Sequence, residues 1–352
     1  MNKLGTIGLN FVLIILSICS FAYASKENVK KILIIHSYSL KNICGSPQHQ
    51  GVVEALAKHG FIDGKNIDIL SYAMDTKKVN NTPELIRKEA DKVLSEIDQL
   101  KPDVVVLLDD NAFATVGLDL LDTGVSVVFS GMNGQPEDYN LKKKWMNSRN
   151  RPGHNITGVY EKLHIAEAFR VQKMILPDLK KAMIISDASP TGVAVMKQID
   201  IELRGIDTGI EVATASTSSW EEYIDTIHSV CNDPEIGTIY PVATVLKDKN
   251  GNSYSTSEII IWTAKNCLKP GIPVNYSFAR LGMLGGAGVD FIFMGSQAGN
   301  MVARILKGTP PGNIPIEDAQ RYALVFNLKR AKELGLEIPS DVLMAADVIY
   351  NN

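Results

Sequence analysis

Two adjacent carboxylates and an amide, Asp109-Asp110-Asn111, follow directly on the apolar run Val104 to Leu108 and precede a helix-forming stretch that runs to Leu121. One chemistry for this order is a helix start, whose free N–H groups and dipole favour acids. The other is a receptor: one carboxylate caps the helix while its neighbour, with the Asn111 amide, accepts from an ammonium or hydroxyl group of a ligand. Similar polar turns close other apolar runs. His36-Ser37-Tyr38 follows Ile32 to Ile35, Ser130-Gly131-Met132-Asn133 follows Val125 to Phe129, and Ser186-Asp187-Ala188-Ser189-Pro190-Thr191-Gly192 follows Ala182 to Ile185. Gly131 lets backbone amides approach a ligand closely.

Catalytic signatures are missing from the same chain. The histidines at 36, 49, 59, 154, 164 and 228 have no metal-ligand spacing, and each is better explained by surface or supporting hydrogen bonds. Gly282, Gly285, Gly286 and Gly288 do not form G-x-G-x-x-G, and there is no phosphate loop, nucleophile elbow or zinc-protease motif. The expectation is a binder and not an enzyme, with no catalytic residues, no metal and no cofactor.

These turns need rigid elements to hold them. Four apolar residues at 32–35 read as a strand buried on both faces, and ligands of open parallel sheets gather at the carboxyl ends of such strands. Helix periodicity follows at 48–58, a strand at 66–72, and a helix at 83–100 that opens on Thr82 and Pro83 and carries Ile86, Ala90, Val93, Ile97 and Leu100 on one face. A strand at 104–108, a helix at 111–121 and a strand at 125–129 complete the first half. The second half repeats the pattern: helix 165–176, strand 182–185, helix 192–203, a helix to Val230 with Ser219 and Glu222 as a capping box, strands 236–242 and 272–276, and a helix at 257–266 between them. Such β-α alternation predicts parallel sheets with right-handed crossovers. The polar run 146–155 (M-N-S-R-N-R-P-G-H-N) suits a boundary between domains.

The 352 residues suffice for two domains, and 45% hydrophobic with 21% charged residues excludes a disordered or collagen-like chain. A formal net charge of -3 supplies no field for nucleic acid, which is not an expected partner. Lys3, the apolar core at 11–18 and Ala22-Tyr23-Ala24 read as a signal peptide over 1–24, too short to span a membrane as a retained helix. An exported protein is expected, in the periplasm or on the extracytoplasmic surface. A lipid anchor at Cys19 is the weaker alternative, since Ile18 stands where a small residue is needed. Cys44, Cys231 and Cys267 remain, and no disulfide framework is implied; Cys231 and Cys267 are expected as half-buried free thiols, with pairing as the alternative.

H-S-Y at 36–38, D-D-N-A-F at 109–113, V-V-F-S-G-M-N at 127–133, N-I-T-G-V at 155–159 and I-L-K-G-T-P-P-G-N-I-P at 305–315 resemble the ABC transporter substrate-binding family that includes tryptophan- and tyrosine-type binding proteins. F-N-L-K-R-A-K-E-L-G-L-E-I-P at 326–339 and A-A-D-V-I at 345–349 carry the likeness to the end of the chain. The resemblance implies an α/β fold of type I periplasmic binding protein form: two Rossmann-like lobes with parallel sheets, joined by a multi-strand hinge. Lobe 1 is then expected at 25–156 plus about 280–318, and lobe 2 at 157–279 plus about 319–352. It implies a monomer that captures a small polar organic ligand, an amino acid with an aromatic side chain foremost, for an ABC permease. Because D-D-N-A-F and D-K-N-G-N-S-Y-S (248–255) are similar to sensor modules of the family, the alternative partner is a membrane sensor receptor, a histidine kinase or cyclase. Sensor-like members carry His-Pro and a Trp after H-S-Y; this chain has Ser39 to Cys44 there, so that aromatic wall is not carried over. The expected sequence of events is docking on Ser37, Tyr38, Asp110, Asn111, Ser130, Gly131, Met132 and Asn133, followed by closure of Asp187, Ser189, Thr244, Tyr276 and Asp290. Tyr38, Tyr276 or Phe278 would stack on an aromatic ligand.

Overall fold

The computed structural model describes residues 29–242 and 244–351, so the expected signal peptide and Cys19 lie outside the described residues. Strand β1 (Lys30–His36) is followed by α1 (Gly45–Lys58), β2 (Ile67–Ala73), α2 (Pro83–Leu100) and β3 (Val104–Leu108). The next segment departs from the expected helix at 111–121. It is a single turn, α3 (Asp110–Ala112), running into a π-helical stretch, Phe113–Gly117. Phe113 there packs edge-on against Phe129 and Trp145, and these bulky rings override a regular helical path. Then come β4 (Ser126–Met132), α4 (Pro136–Lys142) and β5 (Ile156–Tyr160). With a later strand, β12 (Glu317–Asp318), these form one parallel sheet in the order β12-β5-β4-β3-β1-β2.

The chain continues with α5 (Ile165–Ile175), β6 (Lys181–Asp187), α6 (Pro190–Leu203), β7 (Glu211–Thr217), α7 (Trp220–Asn232) and β8 (Thr238–Pro241). Strands β7-β6-β8 make a second parallel sheet. A small hairpin, β9 (Leu246–Lys247) and β10 (Ser253–Tyr254), leads into α8 (Thr256–Asn266). The strand expected at 272–276 does not form. Single bridges at Gly271 and Asn275 carry the chain past β8, and a 3-10 helix then takes Tyr276–Leu281 because the Asn275 side chain accepts from the Ser277 N–H and caps it. Last come β11 (Gly285–Val289), α9 (Phe291–Leu306), β13 (Tyr322–Asn327), α10 (Leu328–Glu333), α11 (Ser340–Met344) and β14 (Val348–Tyr350). The third sheet is β11-β13-β14, with its first pair antiparallel.

Capping chemistry matches local sequence. Thr82 Oγ1 accepts from the Leu85 N–H with Pro83 in the first turn of α2. Ser219 caps α7 through the Glu222 N–H, but Glu222 reaches the Ser218 N–H, so the full reciprocal box expected there occurs instead at Ser255 and Glu258 of α8. The first sheet is covered on one side by α1 and α9, whose axes come close enough that a Cβ at Gly51 would meet the Ile292 carbonyl and one at Gly295 the Gln48 carbonyl.

The sheets divide the chain differently from the expected boundaries. The run 146–155 does not separate two domains, since it turns back into β5 and its Arg149 carbonyl accepts from the Ile316 N–H beside β12. Likewise β11, expected in lobe 1, pairs with β13. Cys231 and Cys267 are not free thiols: α7 and the end of α8 bring their Cα atoms to 5.5 Å and the two form a disulfide. Cys44 is the free cysteine among the described residues.

Candidate ligand-binding cleft

The carboxyl ends of β1, β2, β3, β4 and β5 meet β6, the hairpin and α8 around a set of connected cavities. An inner cavity of about 60 Å³ is lined by Tyr38, Lys77, Asp109, Asn133, Glu161 and Phe278 among others. Two outer chambers of about 280 and 390 Å³ share Tyr38, Lys77 and Val245. Tyr38 and Lys77 are common to all three spaces, with the Lys77 ammonium 3.8 Å from the centre of the Tyr38 ring.

Thr76 places Lys77. Its backbone N–H and its hydroxyl both donate to the Ser37 carbonyl, at 2.9 and 2.8 Å, and it accepts at 2.8 Å from the Asn111 amide. Ser37 itself is spent on the scaffold, donating to the Leu108 carbonyl at 2.6 Å and accepting from the Ala112 N–H at 2.8 Å. It supports the cleft and does not line it. His36 is also supporting: it shares a 2.9 Å hydrogen bond with His49, and burial followed by His49 pushes its pKa down to about 4.

The adjacent carboxylates have separate roles, and neither is the cap that the sequence suggests. Both oxygens of Asp110 are taken: Oδ1 accepts from the Gly134 N–H and the Tyr139 hydroxyl, and Oδ2 from the Asn133 N–H, at 2.8 to 3.0 Å. Asp110 therefore holds the turn after β4. Asp109 is the carboxylate that lines the inner cavity. Its backbone stands at φ 68 and ψ 175, a region almost reserved for glycine, at a cost of roughly 1–3 kcal/mol. One of its oxygens accepts from the Gln48 amide at 3.2 Å, while Oδ2 is buried with no partner. Burial is the main force that raises the Asp109 pKa to about 7; Asp110 adds to it, and Lys77 and Gln48 oppose it. Glu161, directly after β5, is buried as well, and burial, then Asp109 and Asp110, hold its carboxyl well above the usual range.

Among the expected residues on β4, Ser130 and Met132 are fully buried, and Gly131 takes φ 76 at a bulge where a Cβ would strike the Gln48 amide. Asn133 reaches the cavity, with a buried Nδ2 that has no partner. Asn111 lines the larger outer chamber with Asp187 and Ser189. Asp187 is internally satisfied, one oxygen accepting from the Ser189 N–H and hydroxyl and the other from the Val245 N–H. Ser189 caps α6. Thr244 is buried, its hydroxyl unpartnered and its carbonyl accepting from Thr256.

Tyr276 and Asp290 are not brought to this cleft. They line a separate depression with Glu54 and Lys58, where Asp290 caps α9 and lies 3.5 Å from Arg321. The 3-10 turn that replaced the expected strand turns Tyr276 outward and delivers Phe278 to the inner cavity instead. Three functional candidates were missed by sequence reasoning: Lys77, Glu161 and Tyr254. The first two follow the ends of β2 and β5, so the strand-end rule applied to every strand would have found them. Tyr254 lines an outer chamber and stacks on Trp220, centroids 4.5 Å apart.

The arrangement can bind charge at both signs in a desolvated space, but it aligns no nucleophile with a base. The same fold, that of type I periplasmic binding proteins, is found in relatives. The ABC domain in complex with L-Trp from Streptococcus pneumonia superposes with a TM-score of 0.69 at 19% identity, over 91% of this chain and 99% of that one. A ligand-free, open substrate-binding protein with adhesive properties from Clostridium difficile gives 0.68 at 18% identity, over 92% and 100%. The tyrosine-binding protein of Clostridioides difficile (strain R20291) is 23% identical over 299 residues, covering 82% of this chain and 76% of the relative. The family model described as ABC transporter substrate binding protein matches residues 34–349. With nearly all of its described length matched by that model, this chain belongs to the ABC transporter substrate-binding protein family, a family of binders and not enzymes.

Proposed function

We propose that the protein, exported by its N-terminal signal, captures a small ligand carrying an ammonium group and passes it to an ABC permease. The two lobes are residues 29–160 with 290–318, and 161–289 with 319–351, closing over the cleft. The observation that carries this reading is the buried, unpartnered acceptor Asp109 Oδ2, in one cavity with the Glu161 carboxyl. A buried carboxylate oxygen without a partner is costly, and a ligand ammonium is the group that relieves it most. Lys77, with the Thr191 hydroxyl, meets the ligand carboxylate. Tyr38, Phe278 and Tyr254 enclose the side chain. The tyrosine-binding relative and the L-Trp complex support an aromatic amino acid.

Native mass spectrometry of the purified protein and a thermal-shift screen of amino acids test this. A ligand that binds the native state raises the melting temperature. The expected result is a shift with a free amino acid and none with its N-acetyl derivative. Equal shifts from both would sink the ammonium reading.

A further inference from the structure

Outside the cleft, a groove of about 510 Å³ runs between the last turns of α8, the end of the 3-10 helix and α10. Its walls combine Ile261, Lys265, Leu268, Arg280, Lys329 and Arg330. We infer that this groove is a docking surface for an acidic, leucine-bearing polypeptide segment of a protein partner.

The charge balance is one-sided. Lys265, Arg280 and Lys329 are exposed and make no ion pair or side-chain hydrogen bond among the described residues. A helix C-terminus favours a cation, which accounts for Lys265 and for Arg280 at the end of the 3-10 helix but not for Lys329 in the first turn of α10. Arg280 and Lys329 come from two other elements and converge on the same groove. The acid in the lining, Glu333, lies 3.3 Å from Arg330 and is already neutralised. Arg330 is only 5% exposed; one nitrogen donates to the Cys267 carbonyl and its Nε is buried without a partner. On a chain of net charge -3, four cations against one paired acid is a local reversal of sign, and it attracts an acidic partner.

The apolar part decides between a small anion and a polypeptide. Leu268 is 76% exposed and Ile261 37%. A phosphate or carboxylate uses neither, whereas a segment with acid and aliphatic side chains buries both while pairing with the cations. The base is rigid, because the Cys231–Cys267 disulfide and the Arg330 bond to Cys267 tie α7, α8 and α10 together.

The inference stands apart from the ligand reading, and its test uses the whole chain. A fluorescein-labelled peptide of alternating glutamate and leucine is titrated with the protein and followed by anisotropy. Binding is expected, weakening about tenfold between 50 and 200 mM salt. It should be lost in the double variant Arg280→Glu with Lys329→Glu, and weakened several-fold in Leu268→Ser. A lysine–leucine peptide should not bind. Both charge reversals are at exposed, unpaired positions, and an unchanged far-UV circular dichroism spectrum and melting temperature confirm that the variants are folded. The inference is overturned if the peptide fails to bind the native chain, or binds the double variant equally well. It is also overturned if inorganic phosphate displaces it while Leu268→Ser has no effect, which would make the groove a small-anion site.

Discussion

Replacing Asp109 by Asn should stabilise the ligand-free protein and abolish ligand capture. The carboxyl is buried and its pKa stands at about 7 against an ordinary 3.8. Because the folded chain holds this proton more tightly than the unfolded chain, stability falls as pH rises from about 4 to about 7 and is level above that. The gap corresponds to on the order of 4 kcal/mol, taking about 1.4 kcal/mol for each tenfold difference in proton affinity. Asn has the shape of the protonated acid and cannot ionise, so the variant avoids this penalty. Urea denaturation should show wild type and Asp109→Asn within ~1 kcal/mol at pH 4, with the variant ahead by up to ~4 kcal/mol at pH 8. The amino acid found in the screen, titrated by calorimetry, should bind wild type about tenfold more tightly per pH unit on approaching pH 7 from below, then level off. The variant should show no such dependence and little binding. A variant no more stable than wild type at pH 8, or one that keeps full affinity, would refute the argument that this carboxylate is held ready for a cation.

Lys77→Met removes the charge that opposes the upward push on Asp109 and Glu161, so the pH midpoint of ligand binding should move above 7 and affinity at pH 7 fall several-fold by calorimetry. Reducing the Cys231–Cys267 disulfide, which closes a separation of 36 residues, should cost about 4 kcal/mol in the chain-entropy account, read as a lower urea midpoint in dithiothreitol. Gly295→Ala places a methyl against the Gln48 carbonyl where α1 and α9 cross, and should destabilise by about 3 kcal/mol in the same assay, while Gly60→Ala meets no neighbour and costs only the strain of its positive φ.

The sequence by itself determined most of the element order. Runs such as Val104 to Leu108 and the 3.6-residue spacing from Ile86 to Leu100 act through local geometry, and β3 and α2 stand where they predict. The same runs made the strand-end turns legible, and Tyr38, Asn111 and Asn133 of those turns line the cavities. The tertiary structure decided everything that depends on direction. Asp109 and Asp110 are indistinguishable as neighbours in a chain. Only the strained backbone at Asp109, and the turn after β4 folding back onto Asp110, send one carboxylate into the cavity and fix the other to the scaffold. Tyr276 left the cleft because a capped 3-10 turn formed where the apolar pattern allowed a strand, and Cys231 met Cys267 because two helices packed, which no spacing in the sequence records. Lys77 and Glu161 are 84 positions apart in the chain, and what brings them to one cavity is that β2 and β5 both point their carboxyl ends to the same side of one parallel sheet.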